Sequence, residues 1–175
     1  MSLTEAAEMA GRWPAGWTPE KVREAAQHVQ RVPIFRTLWY PDIMKGLEAS
    51  ALGYLEKLGI ASDRIHLIDV PGSFELPLCI LKDIERCGGL KCDFALALGC
   101  IVQGGTPHFE FVSRAAIDGL MRVQLDTRVP IGMGVLTVAN LEQARARLDK
   151  GAEAAQAAFY VWLHHFQNRR IGKGV

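Results

Sequence analysis

Net charge is almost absent from this sequence: 20 lysines and arginines against 19 aspartates and glutamates leave +1. With no basic stripe interleaved with aromatics, that balance excludes an electrostatic nucleic-acid binder. No apolar run approaches the roughly 20 residues a membrane span needs. Residues 1–13 have neither a basic start nor an apolar core, so they are not expected to act as a secretory signal. Cysteine is sparse as well. Cys79, Cys87, Cys92 and Cys100 show no Cys-x-x-Cys spacing, which argues against zinc. Three of the four sit in or beside apolar segments, as reduced thiols do, so the expected compartment is the cytoplasm. His164 and His165 are neighbours on the last expected helix, where adjacent side chains point about 100° apart and do not share a metal. Repeats, linkers and a second domain are also missing.

What is present is a 175-residue chain that is 49% hydrophobic, enough for one domain with a substantial core. Residues 1–17 lack periodicity and read as an irregular arm. Thr18-Pro19-Glu20 opens a short helix to about Val29. A first strand is expected over Arg31–Leu38; Pro33 cannot donate to a ladder, so that part belongs at an edge or outside the sheet. Ile43, Leu47, Ala51, Tyr54, Leu55 and Leu58 recur at helical spacing until Gly59. Ile65–Val70 is a second strand, and Ser73 can cap a helix running to about Arg86. Phe94–Val102 is apolar throughout, as a strand covered on both faces should be. A helix from Pro107 to about Asp126 and a fourth strand over Pro130–Val138 follow. Asn140-Leu-Glu-Gln143 is a capping box, and Gly151 is expected to divide that helix from a last one ending near Phe166. A basic tail, Asn168–Val175, is expected to fray. Strands alternating with helices predict a four-stranded parallel sheet with helices on both faces, an α/β fold. The expected division is an arm with a short helix over 1–30, a domain over 31–167 and a tail over 168–175.

Ligands in such sheets sit beyond the carboxyl ends of the strands. Unusual polar and aromatic residues fall there: Trp39, the Val70–Glu75 turn and Gln103–His108. The last of these is the most informative. Gly104-Gly105-Thr106-Pro107 is a tight loop with a helix start built in, Thr106 being able to cap and Pro107 suiting the first helical position. Free N–H groups at a helix start behind glycines favour an anion, phosphate above all. The same dipole disfavours a protonated imidazole, so His108 is expected to stay neutral and move protons. On its own such a loop is ordinary punctuation, and each companion has an ordinary reading too. Trp39 could be a lid over the core, Glu75 a first-turn carboxylate, Arg147 a solvated cation and Met133 a filler of core or interface.

Together they raise a resemblance. Val70-Pro-Gly-Ser-Phe-Glu-Leu-Pro77, Ala97-Leu-Gly-Cys-Ile-Val-Gln-Gly-Gly-Thr-Pro-His-Phe-Glu-Phe-Val112 and Pro130-Ile-Gly-Met-Gly-Val-Leu-Thr137 with Leu141-Glu-Gln-Ala144 resemble the lumazine synthase family in order and spacing, over roughly residues 31 to 167. The resemblance implies a flavodoxin-like three-layer α/β/α sandwich. It also implies a transferase of riboflavin synthesis that joins 5-amino-6-(D-ribitylamino)uracil to 3,4-dihydroxy-2-butanone 4-phosphate. No metal or redox cofactor is implied. The implied partners are further copies of the chain, as pentamers or multiples of them, and riboflavin synthase.

Carried over by position, Trp39 matches the ring that stacks on the pyrimidine. Ser73, Phe74 and Glu75 match the turn that holds the ribityl chain and amine. Cys100, Ile101 and Val102 match the strand end whose backbone meets the pyrimidinedione. Gly105 and Thr106 match the phosphate loop, and His108 the proton-transfer residue. Met133 and Arg147 match positions supplied by a neighbouring subunit, Arg147 pairing the phosphate.

The chain departs from the family pattern in places. Leu38 and Gln103 stand where arginines are common, Met133 where phenylalanine is, and the connection from Arg147 to Lys150-Gly151 is short. Two rival readings are a paralogue that binds riboflavin or lumazine without turnover, and a shell-forming structural protein.

Overall fold

The computed structural model describes residues 17–87 and 92–171, with only the backbone of 166–171. Apart from Trp17, the expected arm therefore lies outside the described residues. The elements are α1 (Pro19–Ala26), β1 (Val32–Thr37), α2 (Pro41–Leu58), β2 (Ile65–Val70), α3 (Leu76–Arg86), β3 (Ala95–Val102), α4 (His108–Thr127), β4 (Ile131–Val138), α5 (Leu141–Arg145) and α6 (Lys150–Ile171), with a 3₁₀ turn at Ser62–Arg64. The four strands form one parallel sheet in the order β2-β1-β3-β4. This is the flavodoxin-like α/β arrangement that the resemblance implies. From β1 the chain moves outward to β2, then returns across β1 to β3 and β4, so the order reverses between β1 and β3.

Alternation along the strands splits the core in two. Ile34, Leu96, Leu98 and Leu136 point to one face and pack with Leu47, Leu55, Phe159 and Leu163 from α2 and α6. Phe35, Ala97, Ile101 and Val135 point to the other and pack with Leu76, Ile80, Ala116 and Leu120 from α3 and α4. β3 is buried along nearly its whole length, as its unbroken apolar run required. Trp162 lies 5.4 Å from Phe159 between ring centroids, and its indole donates to Asp93 at 2.9 Å. Burial alone would raise the pKa of Asp83, but hydrogen bonds from Arg31 at 2.6 and 3.0 Å and from Arg86 hold it below the usual carboxylate range. That paired charge ties α3 to the segment entering β1.

The expectation for Pro33 holds, although β1 is a central strand: pairing with β3 begins only at Ile34, so the part carrying the proline has β2 alone beside it and sits at an edge. Several other local expectations need correcting. Ser73 does not cap α3, which starts at Leu76 with Glu75 in the cap position and no side-chain cap bond. Thr106 does not cap α4 either: Pro107 takes the cap position, again without a side-chain bond. Thr18 caps α1, and Asn140 caps α5, accepting from Gln143 N at 2.9 Å. The Gln143 side chain reaches back to Ala139 N, one residue before the position a standard capping box uses.

Gly151 does not divide two helices but is the second residue of α6. The break falls in the turn at 146–149. A Cβ at Gly151 would sit 1.9 Å from the carbonyl oxygen of Leu47, so glycine is needed there for α6 to touch the backbone of α2. Backbone cannot swing aside as a side chain can. Gly151→Ala should cost about 1–3 kcal/mol, the scale of overpacking a fitted core, read as a lower urea midpoint. A midpoint equal to the parent's would show that α6 can shift freely. α6 continues to Ile171, past the expected end near Phe166, and residues 172–175 of the expected tail lie outside the described residues.

Candidate active site

Three strand ends and one helix start build the site. β1 makes its final sheet bond when Leu38 N donates to Val70 O at 3.0 Å. Trp39 follows with 64% of its surface exposed, so its ring is not a lid on the core. After β2, the turn at Gly72 brings Glu75 N to Gly72 O at 3.3 Å. A Cβ at Gly72 would lie 3.0 Å from Glu75 Oε2 and 3.5 Å from Trp39 Nε1. The carboxylate and the indole N–H therefore converge on the same patch of backbone.

Ser73 is buried against the sheet, and a Cβ at Gly99 would come within 2.7 Å of its hydroxyl oxygen. The sequence signal for this was the glycine inside the apolar β3 run: an isolated strand glycine marks close approach of another group. Phe74, next along, is mostly exposed.

β3 contributes Cys100, Ile101 and Val102. Burial, with Asp42 adding to it, pushes the Cys100 thiol up to about 11. It stays protonated at neutral pH and serves as a wall, not a nucleophile. Beyond Gln103, whose N–H donates to Val138 O at 2.8 Å, the loop passes Gly104 and Gly105 into α4. No side chain caps that helix, and with Glu110 N donating to Pro107 O at 3.0 Å, the N–H groups of His108 and Phe109 remain available to a bound anion. His108 is its first residue and is exposed.

These parts enclose one cavity of about 360 Å³, within the range of small-molecule sites. Trp39, Ser73, Phe74, Glu75, Cys100, Ile101, Val102, Thr106 and His108 line it, and Gly105 sits between two lining residues. Gly72 and Gly104, within the Val70–Glu75 and Gln103–His108 segments expected at the site, also line it, whereas sequence reasoning missed Tyr40, Phe109 and Val112. Phe109 and Val112 had a signal, their three-residue helical spacing, but that spacing reads equally as core.

Met133 and Arg147 stand outside the cavity. Met133 is half-exposed on β4, on the face that Ile131 and Val135 turn toward α3 and α4. Arg147 lies exposed between α5 and α6 and donates to Gln143 O at 2.8 Å. Among the described residues, no group of three or more His, Cys, Asp or Glu could hold a metal, and no helix is long and apolar enough to cross a membrane.

Comparison with known proteins agrees with this geometry. A family model described as 6,7-dimethyl-8-ribityllumazine synthase matches residues 29–164. The protein of that name from Leifsonia xyli subsp. xyli is 47% identical over 135 residues, covering 73% of this chain and 81% of the relative. Its counterpart from Streptomyces avermitilis is 44% identical, covering 73% and 80%. That from Azoarcus sp. is 40% identical over 129 residues, covering 73% and 81%. With the matched stretch running from just before β1 into α6, and so across every strand and loop that builds the cavity, the chain belongs to the 6,7-dimethyl-8-ribityllumazine synthase family.

Proposed function

We propose that this cleft condenses 5-amino-6-(D-ribitylamino)uracil with 3,4-dihydroxy-2-butanone 4-phosphate to give 6,7-dimethyl-8-ribityllumazine. The observation that carries the reading is the opposition of an exposed indole at one strand end to an uncapped, glycine-led helix start at another, across one cavity. The first suits a flat heterocycle and the second a phosphate.

Glycine at 104 and 105 adds support. A Cβ at either would meet nothing within 4 Å, and neither has a positive φ, so the fold itself does not demand glycine. Close approach of a ligand to that backbone explains both.

In this reading the pyrimidine stacks on Trp39 and meets the backbone of Cys100, Ile101 and Val102. The ribityl chain runs past Ser73, Phe74 and Glu75, whose carboxylate accepts from its hydroxyls. The phosphate rests on Gly105, Thr106 and the α4 N–H groups, which also stabilise its charge as it leaves. The amine attacks the butanone carbonyl, and the carbinolamine loses water to give an imine. Phosphate leaves by elimination, and ring closure expels a second water. His108, beside the phosphate, relays the protons these steps move. Holding both reactants in register supplies much of the acceleration. The chain works as a ring of five copies or a multiple of it, in the cytoplasm, with Met133 and Arg147 reaching a neighbour's cleft. Riboflavin synthase consumes the product.

Formation of lumazine from the two substrates by the purified protein tests this reading directly. Tight riboflavin binding with no product would replace it with a binding paralogue. Trp39→Ala should weaken riboflavin binding by about 1–3 kcal/mol, the scale of base–aromatic stacking. The quenching of protein fluorescence on titration should shrink with it, above a background from Trp13, Trp17 and Trp162. Parent-like affinity in the variant would make Trp39 a packing residue.

A further inference from the structure

Tyr40 holds a left-handed backbone, φ 55° and ψ 67°, at the cap position of α2. Among the described residues only Arg128 shares a positive φ without being glycine. In that region the Cβ of an L-residue crowds a backbone carbonyl, which glycine avoids and asparagine offsets with a local hydrogen bond. Tyrosine does neither, and its side chain does not cap the helix. Local preference therefore gives no reason for tyrosine here, and such outliers gather at functional sites.

Its surroundings supply a reason. Tyr40 lines the cleft beside Trp39, with ring centroids 6.4 Å apart and planes tilted by 50°. Unlike the exposed indole, the Tyr40 ring is partly buried against the core under α2. The chain between them has no slack. Leu38 is held to β2 by its N–H, and Tyr40 O already accepts from Met44 N at 3.0 Å in the first turn of α2.

We propose that Tyr40 is a positioning residue: its left-handed turn and core-anchored ring fix the orientation of the Trp39 indole at the cleft. The proposal rests on Trp39 stacking on the pyrimidine substrate. An indole held in its binding orientation spares the cost of ordering it when the ring arrives. An unbraced one incurs that cost at each binding event.

The test measures KM for each substrate, and kcat, in Tyr40→Gly, Tyr40→Asn, Tyr40→Phe and Trp39→Ala. Glycine and asparagine both accept the turn but remove the brace. Each should raise KM for ribitylaminouracil by about two- to tenfold, the scale of immobilising one side chain. KM for butanone phosphate and kcat should hold, and melting temperatures should stay near the parent's because relief of backbone strain offsets the lost packing. Tyr40→Phe, which keeps the ring, should restore the parent KM. Parent-like KM in both the glycine and asparagine variants, with Trp39→Ala impaired, overturns the positioning role alone. If Trp39→Ala is parent-like too, the stacking reading falls and this proposal with it. A Tyr40→Phe as weak as Tyr40→Gly overturns it differently, by showing that the hydroxyl itself touches the substrate.

Discussion

Replacing His108 by alanine should slow lumazine formation by about 10²–10⁴-fold, the contribution typical of a positioned acid–base group. The loss should fall toward the lower end, because the two substrates also condense slowly unaided and orientation in the cleft survives the substitution. Binding should change little. His108 is the first residue of α4 and is exposed, so removing its ring leaves neither a core cavity nor an unpaired buried group. The N–H groups at positions 108 and 109 belong to the backbone and remain available to the phosphate. The measurement is therefore a split: kcat falls while both KM values and the melting temperature hold. Unchanged turnover would remove His108 from proton transfer. A rise in KM for butanone phosphate alone would assign it to phosphate binding instead.

Much of this architecture was legible because local signals were strong and mutually consistent. Apolar spacing from Ile43 to Leu58 and the left-handed Gly59 bounded α2, and the unbroken apolar run ending at Val102 marked a strand buried on both faces. The lining of the cleft was legible for a different reason. Parallel strands point their carboxyl ends the same way, so the odd residues after β1, β2 and β3 had to meet. Two of the misreadings, at Ser73 and Gly151, share one physical cause, which is contact between segments distant in sequence. Ser73 looks like a helix cap, yet it sinks onto Gly99 of β3, a contact that only the folded sheet creates. Gly151 looks like a helix break, yet it serves the approach of α6 to Leu47. Tyr40 gave no signal at all, since a left-handed tyrosine contradicts its own preferences and makes sense only beside Trp39. A strictly local reading sees residue type; the fold decides what that residue touches.

Chains carrying His108→Ala and chains carrying Arg147→Ala should each be poorly active alone, yet rings assembled from both should recover activity. Within its own chain Arg147 lies outside the cleft and spends one guanidinium N–H on Gln143 O. If it pairs a phosphate, the proposed assembly requires that phosphate to sit in the neighbour's cleft. Deleting a charged hydrogen-bond partner costs about 1.5–3 kcal/mol, so Arg147→Ala alone should lose about 10- to 100-fold in kcat/KM. In a head-to-tail ring every interface joins the His108 side of one chain to the Arg147 side of the next. Mixed at equal amounts, an interface has both residues intact with a chance of one half times one half, or about a quarter. Co-expression, or unfolding and refolding the two variants together, should therefore restore about a quarter of the parent activity. Combining finished oligomers that do not exchange subunits should restore nothing, which controls for simple addition of residual rates. A site closed within one chain predicts no recovery under any protocol, because every chain carries one defect. Failure to recover in rings verified as mixed would withdraw Arg147 from the shared site and leave the His108 experiment to stand on its own.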